Sequence, residues 1–298
     1  MQHPYVRLLR IPGVPRLLLA TFAGALPIGI LDLAVLLLVR AATGSLGEAG
    51  EVAGALAAGN AVGITVQGRL IDRWGQPPVL LSTGPVCAAA LILLVLAATH
   101  GAAAPVQDAL ALLAGAAIPA TFTSMRVLWP SLVEEPELRT SAYALLALMF
   151  TVTVVLGPLI VSGLVLLSSP AVAVLMAAIL AAGSAALFAS APASRRWRSS
   201  APNRGWRPRA LATPGSRTLI GANLVVGVAG GMGAVAVPAL ALAAHIAAFS
   251  GVLFSLASIG DGVVGLIYGG RAWRMPAPLR LVLLQACSTV ITGAQALA

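Results

Sequence analysis

Two acids inside apolar segments are the side chains of this sequence best suited to chemistry. Asp32 lies in LPIGILDLAVLLLV and Asp261 lies in LASIGDGVVGL, and apolar residues surround both. A carboxylate at the centre of a bilayer costs about 2.5–3.5 kcal/mol on insertion scales, so such groups normally face a cavity on an ion or substrate path. Removal from water also favours the protonated form of a carboxyl group. The two acids therefore predict a site that exchanges protons.

Both acids also have a structural interpretation. Asp261 lies among small residues, which could pack closely around a neutral, protonated acid. Asp32 lies toward one end of its segment and could be hydrated there, paired with Arg40 two helical turns further on. Pro27 and Gly29 could bend the helix and open space around Asp32, although both residue types are ordinary in membrane helices. Asp32 is our first candidate because we count no other ionisable side chain in the apolar part of the first six segments.

The residues needed for enzyme catalysis are not found. The stretch from Ser258 to Gly262, SIGDG, resembles the Gly-x-Gly-Asp sequence of intramembrane aspartyl proteases, but the preceding segment has no Asp to complete the required carboxylate pair. Metalloproteases, serine hydrolases and ATP-driven pumps would need HExxH, GxSxG or a phosphate-binding Gly-rich loop, and the sequence has none of these patterns. We expect no enzymatic activity, no metal and no cofactor.

Composition predicts an integral membrane protein. Of 298 residues, 59% are hydrophobic and 9% are charged, whereas an average soluble domain is roughly 25% charged. Nine apolar segments can be located, and a membrane helix needs about 20 such residues. They cover approximately residues 16–39, 50–68, 78–99, 104–126, 141–167, 170–191, 217–242, 246–270 and 278–298. The predicted fold class is an all-α integral membrane bundle.

One polar stretch divides the chain. The sequence RRWRSSAPNRGWRPRALATPGSR is rich in Arg, Ser, Pro and Gly and cannot bury an apolar face. We therefore expect a six-helix bundle over residues 1–193, a cytoplasmic linker over 194–216 and a partial second bundle of three helices over 217–298.

The distribution of Arg predicts the orientation. With the N-terminus inside, all of the 18 basic residues except Arg40 fall on the cytoplasmic side, which satisfies the positive-inside rule. The net charge of +9 is then explained by loops that face anionic lipid, at about 1 kcal/mol per charge, and not by nucleic-acid binding. We expect a multi-pass protein of the inner or plasma membrane, with the lipid bilayer as its partner.

The stretch GRLIDRWG places three charges within five residues between the second and third apolar segments. It resembles the loop signature of the major facilitator superfamily, with matches at Gly68, Leu70, Asp72, Arg73 and Gly75. Gln76 and Pro77 replace the basic residues that usually close the signature. The six segments, the basic linker and the second bundle fit the same family, so the resemblance covers essentially the whole chain.

From this resemblance we expect the stretch to form part of a cytoplasmic gate. Gly68 would let the second helix pack closely on a neighbour. Asp72 would lie near the N-terminal end of the third helix, where the helix dipole stabilises a carboxylate by about 0.3–1 kcal/mol. The family also implies that Arg126 faces Asp72, and we predict a partly buried ion pair between them. The alternative is that these are ordinary charges of a positive-inside loop.

Three further features are less specific. Gly157 and Pro158 resemble the Gly-Pro motif of the superfamily's antiporters, which implies export, although Gly-Pro can also be a simple kink. The stretch GLIYGGR, residues 265–271, resembles the first motif as a degenerate internal repeat. Asn60 and Gln67 in the second segment could line a cavity or join helices.

The family fold has twelve helices, and this sequence accounts for about nine of them. We expect either a truncated product or a partner that supplies the missing helices. The predicted function is secondary transport of a small molecule, as a proton-coupled exporter that works by alternating access. The alternative is a non-transporting membrane scaffold or an inactive remnant of a transporter.

Overall fold

A computed structural model describes residues 4–199, 214–244, 246, 249–256 and 259. Asp261, most of the SIGDG stretch, the GLIYGGR repeat and the ninth segment lie outside the described residues. Within the described part, the regular structure is helical. The helices are α1 Pro4–Leu9, α2 Val14–Thr43, α3 Leu46–Trp74, α4 Gln76–Thr99, α5 Ala104–Ala116, α6 Thr121–Leu132, α7 Pro136–Leu167, α8 Pro170–Ala189, α9 Pro192–Arg196 and α10 Pro214–Ala243. Residues 250–256 are also helical.

Six spans in the described part are long and apolar enough to cross a membrane. Five of them are the single helices α2, α3, α4, α7 and α8, and the sixth comprises α5 and α6 together. They correspond to the first six predicted segments, which confirms the all-α membrane class. The first, second, third and fifth spans begin before the predicted apolar segment, because flanking residues continue the helix, whereas α8 ends at Ala189, two residues before the predicted end.

Helix α2 is the centre of the first bundle. It packs against α8, α7 and α3, while α4 packs against α8 and α5. A large apolar cluster surrounds the second half of α2 and includes Leu31, Leu36, Leu91 and Leu94. A second cluster around Trp129 and Phe188 lies toward the start of α2. The outer surface of the bundle is also apolar.

Large apolar side chains on that outer surface are exposed. The exposed fractions of Leu19, Val62 and Ile179 are 61%, 62% and 73%. In water, a continuous apolar surface of this kind would promote aggregation. In a bilayer, lipid chains cover it, so the pattern of exposure agrees with the membrane location.

Two hydrogen bonds between helices lie at one end of the bundle. Arg16 at the start of α2 donates to Ser190 Oγ just after α8 (2.5 Å), and Gln76 at the start of α4 donates to the Ser124 carbonyl in α6 (3.1 Å). We call this end, which also carries Arg73, the basic end. Arg40 lies in the last turn of α2, at the opposite end.

The fourth span is not the continuous helix that the sequence predicted over 104–126. Helix α5 ends at Ala116 and α6 begins at Thr121. Pro119 lies in the interruption; it has no backbone N–H, and its ring disfavours helical geometry at the preceding residue. Helix α6 then extends to Leu132, six residues beyond the predicted end.

The GRLIDRWG stretch is also not the loop that we expected. Helix α3 continues through it to Trp74, and the chain turns only at Gly75, whose φ of +86° favours glycine. Asp72 therefore lies in the last turn of the second span and not at the N-terminal end of the third. At a helix C-terminus the dipole favours cations such as Arg73, so the stabilisation expected for Asp72 is absent there.

Candidate functional site

Asp32 is the one exposed residue in a buried stretch of the central helix. Residues 30–39 are all buried apart from Asp32. Neither Asp32 nor Arg40 forms an ion pair or side-chain hydrogen bond with any described residue. The predicted alternative, a pair between Asp32 and Arg40, is therefore not formed. Within the described part of the chain, the Asp32 carboxyl is exposed and has no partner, in a helix whose other nearby side chains are packed.

A close helix crossing lies one turn before Asp32. A Cβ atom on Gly29 of α2 would collide with the Thr153 carbonyl of α7, and a Cβ on Gly157 would collide with the backbone of Gly29. The two helices thus touch backbone to backbone. Gly29 and Gly157 are needed for this contact, which goes beyond the simple kink considered for the Gly-Pro motif.

Pro158, the second residue of the Gly-Pro motif, contacts Gly251, which follows the linker in the sequence. A Cβ on Gly251 would collide with the Pro158 carbonyl, and the Gly251 N–H donates to Ser162 Oγ on α7 (3.0 Å). Ser255 Oγ donates to the Val155 carbonyl of α7 (2.7 Å). This carbonyl lies in the turn before Pro158, where the helix lacks one hydrogen bond because proline has no N–H. The motif therefore lies between α2 on one side and residues 250–256 on the other.

Gln67 bridges the interruption of the fourth span. In a continuous helix the Ala120 N–H would donate to the Ala116 carbonyl. Here Gln67 Nε2 donates to the carbonyls of Ala116 (2.9 Å) and Ile118 (2.8 Å), and Gln67 Oε1 accepts from the Ala120 N–H (3.0 Å). The side chain is 2% exposed. Of the two interpretations open for Gln67, the structure supports the contact between helices.

Small residues bring α3 and α5 into contact beside this bridge. Cβ atoms on Gly59 or Gly63 would collide with the backbone of α5, and a Cβ on Gly115 would collide with the Leu56 carbonyl of α3. For Gly68 a Cβ would meet no described atom within 4 Å, so the close packing expected there stays a prediction. Gly59 and Gly63 face α5, and one turn after Gly63 it is Gln67, and not Gly68, that occupies this face. Asn60 is half-buried on α3, and its place in a cavity stays a prediction.

A cavity of about 930 Å³ opens at the basic end. Asp72 and Arg126 both line it, but they form no direct ion pair, so that prediction is wrong. The Arg126 guanidinium instead lies over the Tyr143 ring of α7, 6.0 Å from its centroid. Arg73 lies over the Trp74 ring at 5.9 Å. The remaining lining residues are Val127, Pro130, Ser131, Leu132, Ala193, Arg196, Trp197, Arg198 and Ser199.

Comparison with known proteins decides the family. The family model described as Major Facilitator Superfamily matches residues 17–298, which is nearly the whole chain. The chain belongs to the major facilitator superfamily. No curated protein sequence matches it. It is therefore a multi-pass membrane transporter of the major facilitator type, as its helical spans and its GRLIDRWG stretch indicated.

Asp108 of this major facilitator protein is a second acid within the apolar part of the first bundle. Asp108 lies in α5, inside the fourth predicted segment, and its Oδ1 atom is buried without a hydrogen-bond partner among the described residues. The statement that Asp32 is the only ionisable side chain in the apolar part of the first bundle is therefore wrong. The signal that identified Asp32, an acid within an apolar segment, also applies to Asp108, four residues from the segment's start.

Proposed function

We propose that this major facilitator protein exports small molecules in exchange for protons, and that Asp32 binds and releases the coupled proton. The observation that carries the proposal is the exposure of Asp32 within the buried stretch of α2. An ionised carboxylate turned toward lipid would cost about 2.5–3.5 kcal/mol, whereas one turned toward a hydrated cavity avoids that cost. We propose that Asp32 faces a hydrated cavity of this kind during the transport cycle.

Among the described residues no cation is fixed beside Asp32, which bears on the substrate. A permanently paired carboxylate would already be neutralised, but no described residue forms an ion pair with Asp32. The same carboxylate can then be neutralised either by a proton or by a cationic substrate. Competition between the two would couple the release of one to the binding of the other. We therefore propose cationic small molecules as the substrate class.

Contacts at the Gly-Pro motif support alternating access. Gly157 fixes α7 against α2 within the first bundle, while Pro158 and Ser162 contact Gly251 beyond the linker. Residues 250–256 thus contact one short segment of α7, while α10 contacts α2 and α3. We propose that the second bundle rocks against the first about this segment, which opens the site around Asp32 to each side in turn.

The charges at the basic end fit a gate in the same cycle. Asp72 and Arg126 line one cavity without touching, so a modest movement could bring them together or separate them further. We propose that this end faces the cytoplasm and that the cavity narrows when the transporter closes on that side. Asp261, outside the described residues, stays the second candidate for proton coupling.

Transport by inverted membrane vesicles tests the proposed function. An acid-inside pH gradient is imposed, and uptake is measured for a panel of fluorescent organic cations, neutral drugs and sugars. We expect uptake of at least one cation that collapses when a protonophore is added. Vesicles from cells without the protein are the control. Uptake that is indifferent to the gradient, or confined to neutral solutes, would contradict the proposal.

A further inference from the structure

The cavity at the basic end carries an excess of positive charge. Arg126, Arg196 and Arg198 line it, and Asp72 is the only acidic residue among its lining side chains within the described part of the chain. Three cations and one anion give a formal net charge of +2. A concave site with charge of one sign concentrates counter-ions of the opposite sign. The cavity is therefore suited to an anion.

The three guanidinium groups differ in how they are held. Arg198 Nη1 donates to the carbonyls of Arg195 (3.0 Å) and Trp197 (2.8 Å), which fixes its side chain against the end of α9. Arg126 lies over the Tyr143 ring. Arg196 forms no side-chain hydrogen bond or ion pair with any described residue. Each guanidinium has five N–H donors, so most donors in the cavity are unused.

Phosphate is the anion that matches these donors. The planar guanidinium fork pairs two of its N–H groups with two phosphate oxygens, which makes Arg the preferred side chain for phosphate recognition. A volume of about 930 Å³ is large enough for a lipid headgroup. Trp197 lines the cavity, and the nearby Trp74 is 57% exposed. Tryptophan is enriched at the level of membrane headgroups.

We propose that this cavity binds a phosphate ester through Arg126, Arg196 and Arg198, with the headgroup of an anionic phospholipid as its natural source. Asp72 weakens the binding because its carboxylate repels the phosphate. The bound anion in turn draws Arg126 away from Asp72. The site is separate from the one around Asp32, and the proposal does not depend on what the protein transports.

Native mass spectrometry of the purified full-length protein tests this site. The probes are phosphatidylglycerol, phosphatidylcholine and inorganic phosphate, each titrated separately. The test variants are Arg196→Gln and the pair Arg126→Gln/Arg198→Gln. Arg195→Gln is the matched control, because Arg195 is adjacent and exposed but does not line the cavity. Circular dichroism and gel filtration confirm that each variant is folded.

We expect the unmodified protein to bind phosphatidylglycerol more tightly than phosphatidylcholine. The double variant should bind phosphatidylglycerol at least about tenfold more weakly than the unmodified protein does. Asp72→Asn should strengthen binding by about twofold to fivefold, the range of an exposed charge interaction. Binding of inorganic phosphate with the same dependence on Arg, but not of phosphatidylglycerol, would support the phosphate site and overturn its lipid source. Equal losses in Arg195→Gln and Arg196→Gln, or no effect of any variant, would overturn the site itself.

Discussion

Gly29 of α2 and Gly157 of α7 touch through their backbones, and neither position has room for a Cβ atom. The contact joins the helix that carries Asp32 to the helix that carries the Gly-Pro motif. It places the candidate proton site one helical turn from a crossing beside which Gly251 contacts α7. The geometry around Asp32 therefore depends on two glycines that lie far apart in the sequence.

Substitution of Gly157 should destabilise the protein. A methyl group in Gly157→Ala would force α2 and α7 apart, and overpacking of this kind typically costs about 1–3 kcal/mol. The measurement is thermal unfolding of the detergent-purified protein. Gly163→Ala is the matched control on the same helix, because a Cβ there meets no described atom within 4 Å. Equal melting temperatures for the two variants would show that the crossing is not this close.

Loss of the Gln67 bridge should also lower stability. Gln67→Leu keeps a similar volume but leaves the carbonyls of Ala116 and Ile118 and the Ala120 N–H without their partner. We expect a cost of about 1–3 kcal/mol, the penalty for unsatisfied buried groups. Asn60→Leu on the same helix is the control, since the Asn60 side chain forms no hydrogen bond with any described residue. If Asn60→Leu is as destabilising as Gln67→Leu in chemical unfolding, the bridge is not the cause.

The membrane class and the six spans follow from composition alone. An apolar segment of about 20 residues is expected to cross the bilayer as a helix, because lipid offers no hydrogen-bond partners and a helix satisfies its backbone polar groups internally. The family was also accessible from GRLIDRWG, since its glycines and charges have fixed spacing. The sequence did not predict that helix α3 continues through Asp72, because the family signature is described as a loop. Only Gly75 indicates where the chain turns.

The finer geometry depends on contacts between distant residues. Pro119 marked a possible interruption of the fourth span, but nothing local indicates that Gln67, more than fifty positions earlier, bridges it. The direct pairing of Asp72 with Arg126 failed for a similar reason. The family implied two facing charges, whereas Tyr143 on a third helix provides the ring over which Arg126 lies. Side-chain partners of this kind are set by helix packing, which spacing along the chain does not contain.

The orientation is tested by cysteine accessibility. Ser199 lies beyond α9 at the basic end, and Ala103 lies in the exposed connection between α4 and α5 at the opposite end. In a background with both native cysteines replaced by Ala, we expect a membrane-impermeant maleimide to label Ala103→Cys in intact cells. Ser199→Cys should react only after the cells are permeabilised. The reverse pattern would place the basic end outside and contradict the positive-inside assignment.

Proton coupling through Asp32 is tested most directly by comparing gradient-driven transport with exchange in the same reconstituted vesicles. Asp32→Asn keeps the size of the side chain but cannot bind and release a proton. We predict that Asp32→Asn loses accumulation driven by a pH gradient, whereas exchange of labelled for unlabelled substrate persists with a weaker apparent affinity, because the carboxylate that a cationic substrate would neutralise is gone. Asp108→Asn, the control for removal of an intramembrane acid, should keep both activities. Gradient-driven accumulation by Asp32→Asn at the level of the unmodified protein, with matched amounts in the vesicles, would contradict the assignment of the coupled proton to Asp32.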